Sequence, residues 1–287
     1  KYGVPVCQTH GAKNMQEKGF AVLGYGKLGG WELGYGSDLD LVFVHNCDGQ
    51  LPTTGLKPVE SKSFYIKLAQ RILHIFTIKT GLGLLYEVDM RLRPSGNAGL
   101  LVCHMNSFAD YQNDNAWTWE HQALGRARFV VGEKALYQAF SETRVAVLSK
   151  PRDLSELARE VIAMREKMRV HLARGNSEYF DLKQDQGGIA DIEFLVQFML
   201  LAHTQNFKSL TKWPDNVRIL NELAKLSLMT TDEADALIQA YLNYRHTAHK
   251  LALQNDELAT VNDVLVEHQA CVKQIWNKYL LAPLAKA

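Results

Sequence analysis

An apolar run that opens on two acids, Asp38-Leu39-Asp40-Leu41-Val42-Phe43-Val44, constrains this chain more than any other stretch. Such a run reads as a buried strand, and a strand sends residues i and i+2 to the same face. Asp38 and Asp40 therefore project together from the head of a core element, where carboxylates are rare unless paired or metal-bound. Just upstream, a short apolar strand, Phe20-Ala21-Val22-Leu23, enters the glycine-rich turn Gly24-Tyr25-Gly26-Lys27-Leu28-Gly29-Gly30. Strand, glycine turn and a second strand opening on Asp-x-Asp form the layout of a site that holds a nucleoside triphosphate through divalent metal. Paired oxygen donors suit Mg²⁺, which takes one or two carboxylates and fills its shell with phosphate and water.

Two other phosphate-binding patterns fit less well. Gly24-x-Gly26-x-x-Gly29 formally matches a dinucleotide fingerprint, but that pattern wants a helix next and an acid about 20 residues on. Here the acids follow Gly29 by 9 and 11 residues and open a strand of their own. A Walker loop fails because Lys27 precedes Leu28, not Ser or Thr. A third carboxylate is available on Leu84-Leu85-Tyr86-Glu87-Val88-Asp89-Met90-Arg91-Leu92-Arg93-Pro94, which alternates strictly. Tyr86, Val88, Met90 and Leu92 share one face, and Glu87, Asp89, Arg91 and Arg93 the other. Set beside the Asp38/Asp40 strand, that polar face supplies a further ligand and two guanidiniums whose planar forks match phosphate; by itself it also reads as plain solvent exposure. Pro94 ends the pairing.

The run from Gly24 through Gly30-Trp31-Glu32-Leu33-Gly34-Tyr35-Gly36-Ser37 to Asp38-Leu39-Asp40-Leu41 closely resembles the signature of the glutamine synthetase adenylyltransferase family. Three more segments, in order, are similar to that family: Val88 to Gly96, Trp119-Glu120-His121-Gln122-Ala123-Leu124 with Arg126-Ala127-Arg128, and Gly187-Gly188-Ile189-Ala190-Asp191-Ile192-Glu193. The resemblance implies an α+β fold, a nucleotidyltransferase (polymerase-β-like) mixed sheet with helices followed by an all-α helical bundle. It implies transfer of AMP from ATP to a tyrosine of glutamine synthetase with release of pyrophosphate. The glycine motifs look like the C-terminal, adenylylating half, and a chain opening at Lys1 in mid-sequence looks like an excised part of the whole. AMP removal on the same fold, or a silent fold that binds a nitrogen-signalling partner, are the alternatives.

The residues implied follow from the motifs. Asp38, Asp40 and Asp89 would ligate one or two Mg²⁺ ions, with Asp89 either ligand or general base toward the tyrosine. Gly26, Lys27, Ser37, Arg91 and Arg93 would hold the triphosphate. The PII signalling protein and glutamine are possible effectors. Lys+Arg of 32 against Asp+Glu of 31 gives no polyelectrolyte character, so neither nucleic acid nor a membrane surface is expected. The longest apolar stretch, Phe194 to Ala202, is far short of a membrane span. Four scattered cysteines, Cys7, Cys47, Cys103 and Cys271, fit free thiols and a cytoplasmic location.

The chain changes character near Pro151, so a catalytic domain over 1–150 and a helical domain over 151–287 are expected. The first half reads as strands at 20–24, 39–45, 84–92 and 99–103, and helices at 61–79 and 113–128. Trp117 and Trp119 read as core aromatics, with stacking on adenine as the alternative. The second half reads as helices at 154–172, 189–204, 215–228, 231–254 and 261–281, the first with Asp153 and Glu156 spaced like a capping box. Around Asp185-Gln186-Gly187-Gly188, Asp191 is expected to serve the helix dipole and Glu193 to pair with a buried arginine; closure of this turn over the nucleotide is the alternative. Arg165, Lys167, Arg169 and Arg174 read as a solvated face, and His246-x-x-His249 as a surface pair.

Overall fold

The computed structural model describes residues 1–8, 15–17, 19–47, 52–81, 83–84, 86–256 and 258–285. The chain divides into two units: Lys1–Leu33, Ser37–Ala116 and Arg126–Val147 form the first, and Gly34–Gly36, Trp117–Gly125 and Leu148–Ala287 the second. It is a mixed α+β structure.

In the first unit, β1 (Val6–Gln8) and β2 (Met15–Glu17) form a small antiparallel pair. The main sheet is built on β3 (Phe20–Gly24) and β4 (Leu39–His45), antiparallel from Phe20↔His45 to Gly24↔Leu41. A single helical turn, α1 (Gly26–Gly29), follows β3, and α2 (Ser61–Thr77) follows β4. The other edge of β4 is shared by two parallel partners: β5 (Val88–Asp89) at its start and β6 (Val102–His104) at its end. Helix α3 (Met105–Asp114) leaves β6. After α4 (Thr118–Gly125), β7 (Arg128–Gly132) joins the far edge of β3, with a bulge at Val22/Leu23, and α5 (Lys134–Leu148) closes the unit. Every residue of β4 except Asp40 is buried, as its apolar run requires. Leu39, Leu41, Phe43, Met90 and Val102 pack on Tyr65 and Ala69 of α2 in one core. Each such fully buried large side chain contributes about 1.5–3 kcal/mol over exposure.

The second unit is helical: α4, α6 (Leu154–Leu172), α7 (Ile189–His203), α8 (Asn216–Lys225), α9 (Thr231–Gln254), α10 (Asp263–Trp276) and, past a π turn, α11 (Ala282–Leu284). A two-residue ladder joins β8 (Tyr179–Phe180) to β9 (Ala259–Thr260). α7 is apolar nearly all round, and Ile192, Leu195, Val196, Met199 and Leu200 lie in the unit's core. Side-chain caps fix the helix starts: Asp153 accepts the Glu156 N–H at 2.8 Å, and Thr230 with Glu233 forms a reciprocal capping box. No helix among the described residues is long and apolar enough to cross a membrane.

Several expectations need correction. The strand over 84–92 pairs at Val88–Asp89 alone among the described residues, Leu85 lying outside them. Asp89 Oδ1 takes the Arg91 N–H at 2.8 Å, a local turn that competes with the ladder, and Arg93 N–H then turns back to the Met90 carbonyl. The apolar half of the alternation survives, since Tyr86, Val88 and Met90 all pack on the core. The helix over 113–128 is two helices and a strand: α3 stops at Asn115, Glu120 caps Trp117 N–H at 2.9 Å, and the β-favouring Phe129-Val130-Val131 pairs with β3. Trp117 and Trp119 are 71% and 37% exposed, so neither is a core aromatic. Arg165 is not solvated but 3% exposed. Cys103 and Cys271 are free, while Cys47 is disulfide-bonded. Four free thiols were inferred from spacing along the chain, whereas pairing depends on distance in space.

Candidate active site at the glycine turn

The site is built where β3 ends. Tyr25 N–H donates to the Asp40 carbonyl at 2.9 Å, stitching the glycine turn to the head of β4. Gly26 then takes φ +50°, a left-handed conformation that L side chains resist. A Cβ on Gly26 would run into the Asp40 carboxylate, so glycine is required twice over at this position. Lys27 is exposed on α1, while Ser37 is buried beside the strand head. Asp38 is exposed just before β4, and Asp40 is half-buried within it.

Across the ladder, Leu39 N–H donates to the Glu87 carbonyl at 2.8 Å, which sets the register Leu39↔Val88 and Asp40↔Asp89. Residues in register across a ladder share a face, so the half-buried Asp40 and Asp89 side chains stand side by side. Asp89 is held by Arg91: Oδ2 accepts Nε at 2.8 Å and Nη2 at 2.5 Å, and Oδ1 accepts the backbone N–H. Those bonds, with further attraction from Arg91 and Arg93, keep the Asp89 carboxyl below its usual range despite partial burial. The Arg91 guanidinium is held protonated by Asp89 first, then by Asp40 and Asp38. All three carboxylates thus act on one cation. Arg93 spends its donors on the turn, bonding the carbonyls of Met90 at 2.7 Å, Asn97 at 3.3 Å and Gly99 at 3.4 Å.

The donor set is all oxygen, with a glycine cradle at the Asp40 carboxylate, and that chemistry fits Mg²⁺ with two protein carboxylates. A closed cage is another matter: among the described residues no three His, Cys, Asp or Glu side chains are gathered to hold a metal by themselves. His246 is exposed and His249 packs edge-on against Tyr35 at 6.1 Å, so that pair belongs to the helix surface.

The turn rests on residues to which the sequence analysis gave no role. Arg128 donates to the carbonyls of Gly29 at 3.1 Å and Leu28 at 2.9 Å, capping α1, and lies 5.0 Å from the Trp31 ring. Arg126, 5% exposed, forms a buried ion pair with Glu32, and its carbonyl lies where a Cβ on Gly29 would sit. Burial of Arg144 pushes its guanidinium down to about 10, and the Tyr25 hydroxyl group acts on it from the turn. The Arg-x-Arg spacing at 126–128 was the available signal, but its meaning depends on β7 pairing with Gly24.

At the Gly187-Gly188 motif Asp191 stands in the first turn of α7, as expected, and also makes a buried ion pair. Asp191 pairs with a buried arginine: Arg165 Nε donates to Asp191 Oδ1 at 2.6 Å and Arg165 Nη2 to the Gln184 carbonyl at 2.7 Å. Asp191 Oδ2 accepts the Gly187 N–H at 2.6 Å, where Gly187 has φ +84°. Glu193 receives the Tyr241 hydroxyl at 3.4 Å.

The glutamate-ammonia ligase adenylyltransferase family model matches residues 2–143, and the GlnD PII-uridylyltransferase model matches residues 162–274. The bifunctional glutamine synthetase adenylyltransferase/adenylyl-removing enzyme of Vibrio parahaemolyticus serotype O3:K6 is 51% identical over 279 residues, 97% of this chain and 29% of the relative. The protein of the same name from Idiomarina loihiensis is 53% identical over 278 residues, 96% of this chain and 29% of the relative. The chain therefore spans about 29% of the length of these curated relatives. Over nearly all of its residues the chain is thus similar to one part of proteins named bifunctional glutamine synthetase adenylyltransferase/adenylyl-removing enzyme.

Proposed function

We propose that this chain is an adenylylating nucleotidyltransferase, moving AMP from ATP to a tyrosine hydroxyl of glutamine synthetase and releasing pyrophosphate, as a control on nitrogen assimilation. The observation that carries the reading is the pairing of Asp40 with Asp89 in register, with the Asp40 carboxylate at the Gly26 turn. In this reading residues 1–150 are the catalytic domain, of nucleotidyltransferase (polymerase-β-like) fold, and residues 151–287 a helical domain.

Asp38, Asp40 and Asp89 would hold Mg²⁺, as one or two ions. Bound there, the metal supplies positive charge that acidifies the attacking hydroxyl and stabilises the leaving oxygen. The backbone of the Gly26 turn, Lys27, Ser37 and the Arg91 fork hold the triphosphate in line, while Arg93 fixes the turn that carries Asp89 and adds its charge nearby. The tyrosine oxygen attacks the α-phosphorus, the α–β bridging bond breaks, and its electrons leave with pyrophosphate; the hydroxyl proton passes to solvent. Asp89 acts in this reading as a metal ligand, its carboxylate standing in register with Asp40.

Glutamine synthetase is the protein substrate in this proposal. The PII signalling protein and glutamine are effectors in this reading, the first in keeping with the match of residues 162–274 to a PII-uridylyltransferase model. The location is cytoplasmic, with neither nucleic acid nor membrane as partner; a disulfide at Cys47 is unusual for that compartment. The test incubates the chain and glutamine synthetase with Mg²⁺ and ATP labelled at the α- or the γ-phosphorus. Retention of the α label alone, with one pyrophosphate per AMP, is expected. Phosphate-dependent release of ADP from adenylylated glutamine synthetase, without forward transfer, would assign the chain to removal.

A further inference from the structure

The Arg91 fork raises a question that the proposed metal site leaves open, since it occupies both oxygens of Asp89. The Arg91 side chain is 73% exposed, so these bonds hold it more than packing does. Asp40 and Asp38 also act on the same guanidinium. Arg91 is thus a built-in cation at the carboxylate edge, on a side chain free to swing into solvent on a nanosecond scale.

We propose that Arg91 is an exchangeable counter-cation, resting on the reading of Asp40 and Asp89 as metal ligands. With neither metal nor nucleotide, its fork neutralises Asp89 and quiets the repulsion among the acids. When divalent metal arrives with triphosphate, Arg91 releases Asp89 and turns its fork to phosphate oxygens, for which its planar donors are equally suited. Metal alone must displace the fork with nothing for Arg91 to gain. Metal together with triphosphate gives both partners a new counter-charge. The device makes the two bind cooperatively, because metal sees a competent site in the fraction of molecules whose fork is open.

The experiment counts Mn²⁺ bound to the chain by electron paramagnetic resonance, without nucleotide and with ATP, in the absence of glutamine synthetase. Arg91→Gln is expected to bind Mn²⁺ alone about tenfold tighter than the native chain, while the tightening produced by ATP shrinks by about the same factor. Adding Asp89→Asn to Arg91→Gln should erase the gain, because the gain runs through Asp89. Unchanged or weaker Mn²⁺ binding in Arg91→Gln overturns the proposal. So does a gain that survives Asp89→Asn, which marks a simple change of net charge. Asp40→Asn reports on the metal reading itself: if it leaves Mn²⁺ binding intact, that reading fails and this one with it. Thermal melts of each variant accompany the titration, and an exposed Arg91 predicts an unchanged fold.

Discussion

Gly26→Ala separates the two demands that the glycine turn makes. The first is conformational: φ +50° strains an L residue by about 1–2 kcal/mol, offset by about 0.4–1 kcal/mol from a less flexible unfolded chain. The net loss is near 1 kcal/mol, a few degrees in Tm for a unit of this size. The second is steric, because the new Cβ and the Asp40 carboxylate need the same space. Either Asp40 rotates or the turn moves, and a 1 Å misplacement of catalytic groups costs on the order of 10²-fold in rate. Gly36→Ala is the control. Gly36 has φ +68°, yet a Cβ there meets nothing within 4 Å, so the strain is present without the collision. The assay is AMP transfer to glutamine synthetase beside a thermal melt for each variant. Both should lose similar stability, and Gly26→Ala should lose at least about tenfold more activity than Gly36→Ala. Equal activity losses, or a Gly26→Ala chain that transfers AMP at near-native rate, would refute the placement of Asp40 against the turn.

Lys27→Ala should raise KM for ATP with kcat largely kept, since one exposed ammonium contributes mostly uniform ground-state binding; steady-state titration checks this. Asp191→Ala leaves Arg165, 3% exposed, without its carboxylate and Gly187 N–H without its acceptor; urea unfolding should show a loss of about 3–5 kcal/mol, and under 1 kcal/mol would contradict the buried pair. Glu233 is brought down to about 2, burial raising it but the bonds from Lys278, Tyr279 and Thr230 prevailing. A carboxyl lowered on folding adds stability above its unfolded pKa and loses it as pH falls, so Tm should drop between about pH 4.5 and pH 2. Glu233→Gln should flatten that part of the profile.

The parts of the fold legible in the sequence were those where one physical rule dominated. The apolar run at Leu39–His45 could only be a buried strand, and α9 was readable at Thr231–Gln254 because long amphipathic spacing repeats over many turns. The stretch around Asp89 misled because alternation reports which side chains face the core, not whether the backbone stays in the ladder. There the Asp89 side chain takes the Arg91 N–H and the strand ends. The Trp117 region misled because large aromatics usually bury their area, whereas these remain at the surface. The register of Asp40 with Asp89 follows from both lying at strand positions that the charge pattern marks. The arginines beneath the turn were not legible, because Arg128 reaches Leu28 and Gly29 across about a hundred residues of chain.

The central claim is that Asp40 is needed for chemistry and not for the fold. Single-turnover AMP transfer to glutamine synthetase in saturating Mg²⁺ and ATP, compared between the native chain and Asp40→Asn with melts of both, tests it most directly. The account predicts a fall in rate of about 10³-fold or more with Tm unchanged or raised, because relieving like charges at Asp38, Asp40 and Asp89 does not weaken the resting structure. Transfer by Asp40→Asn at near-native rate would contradict it.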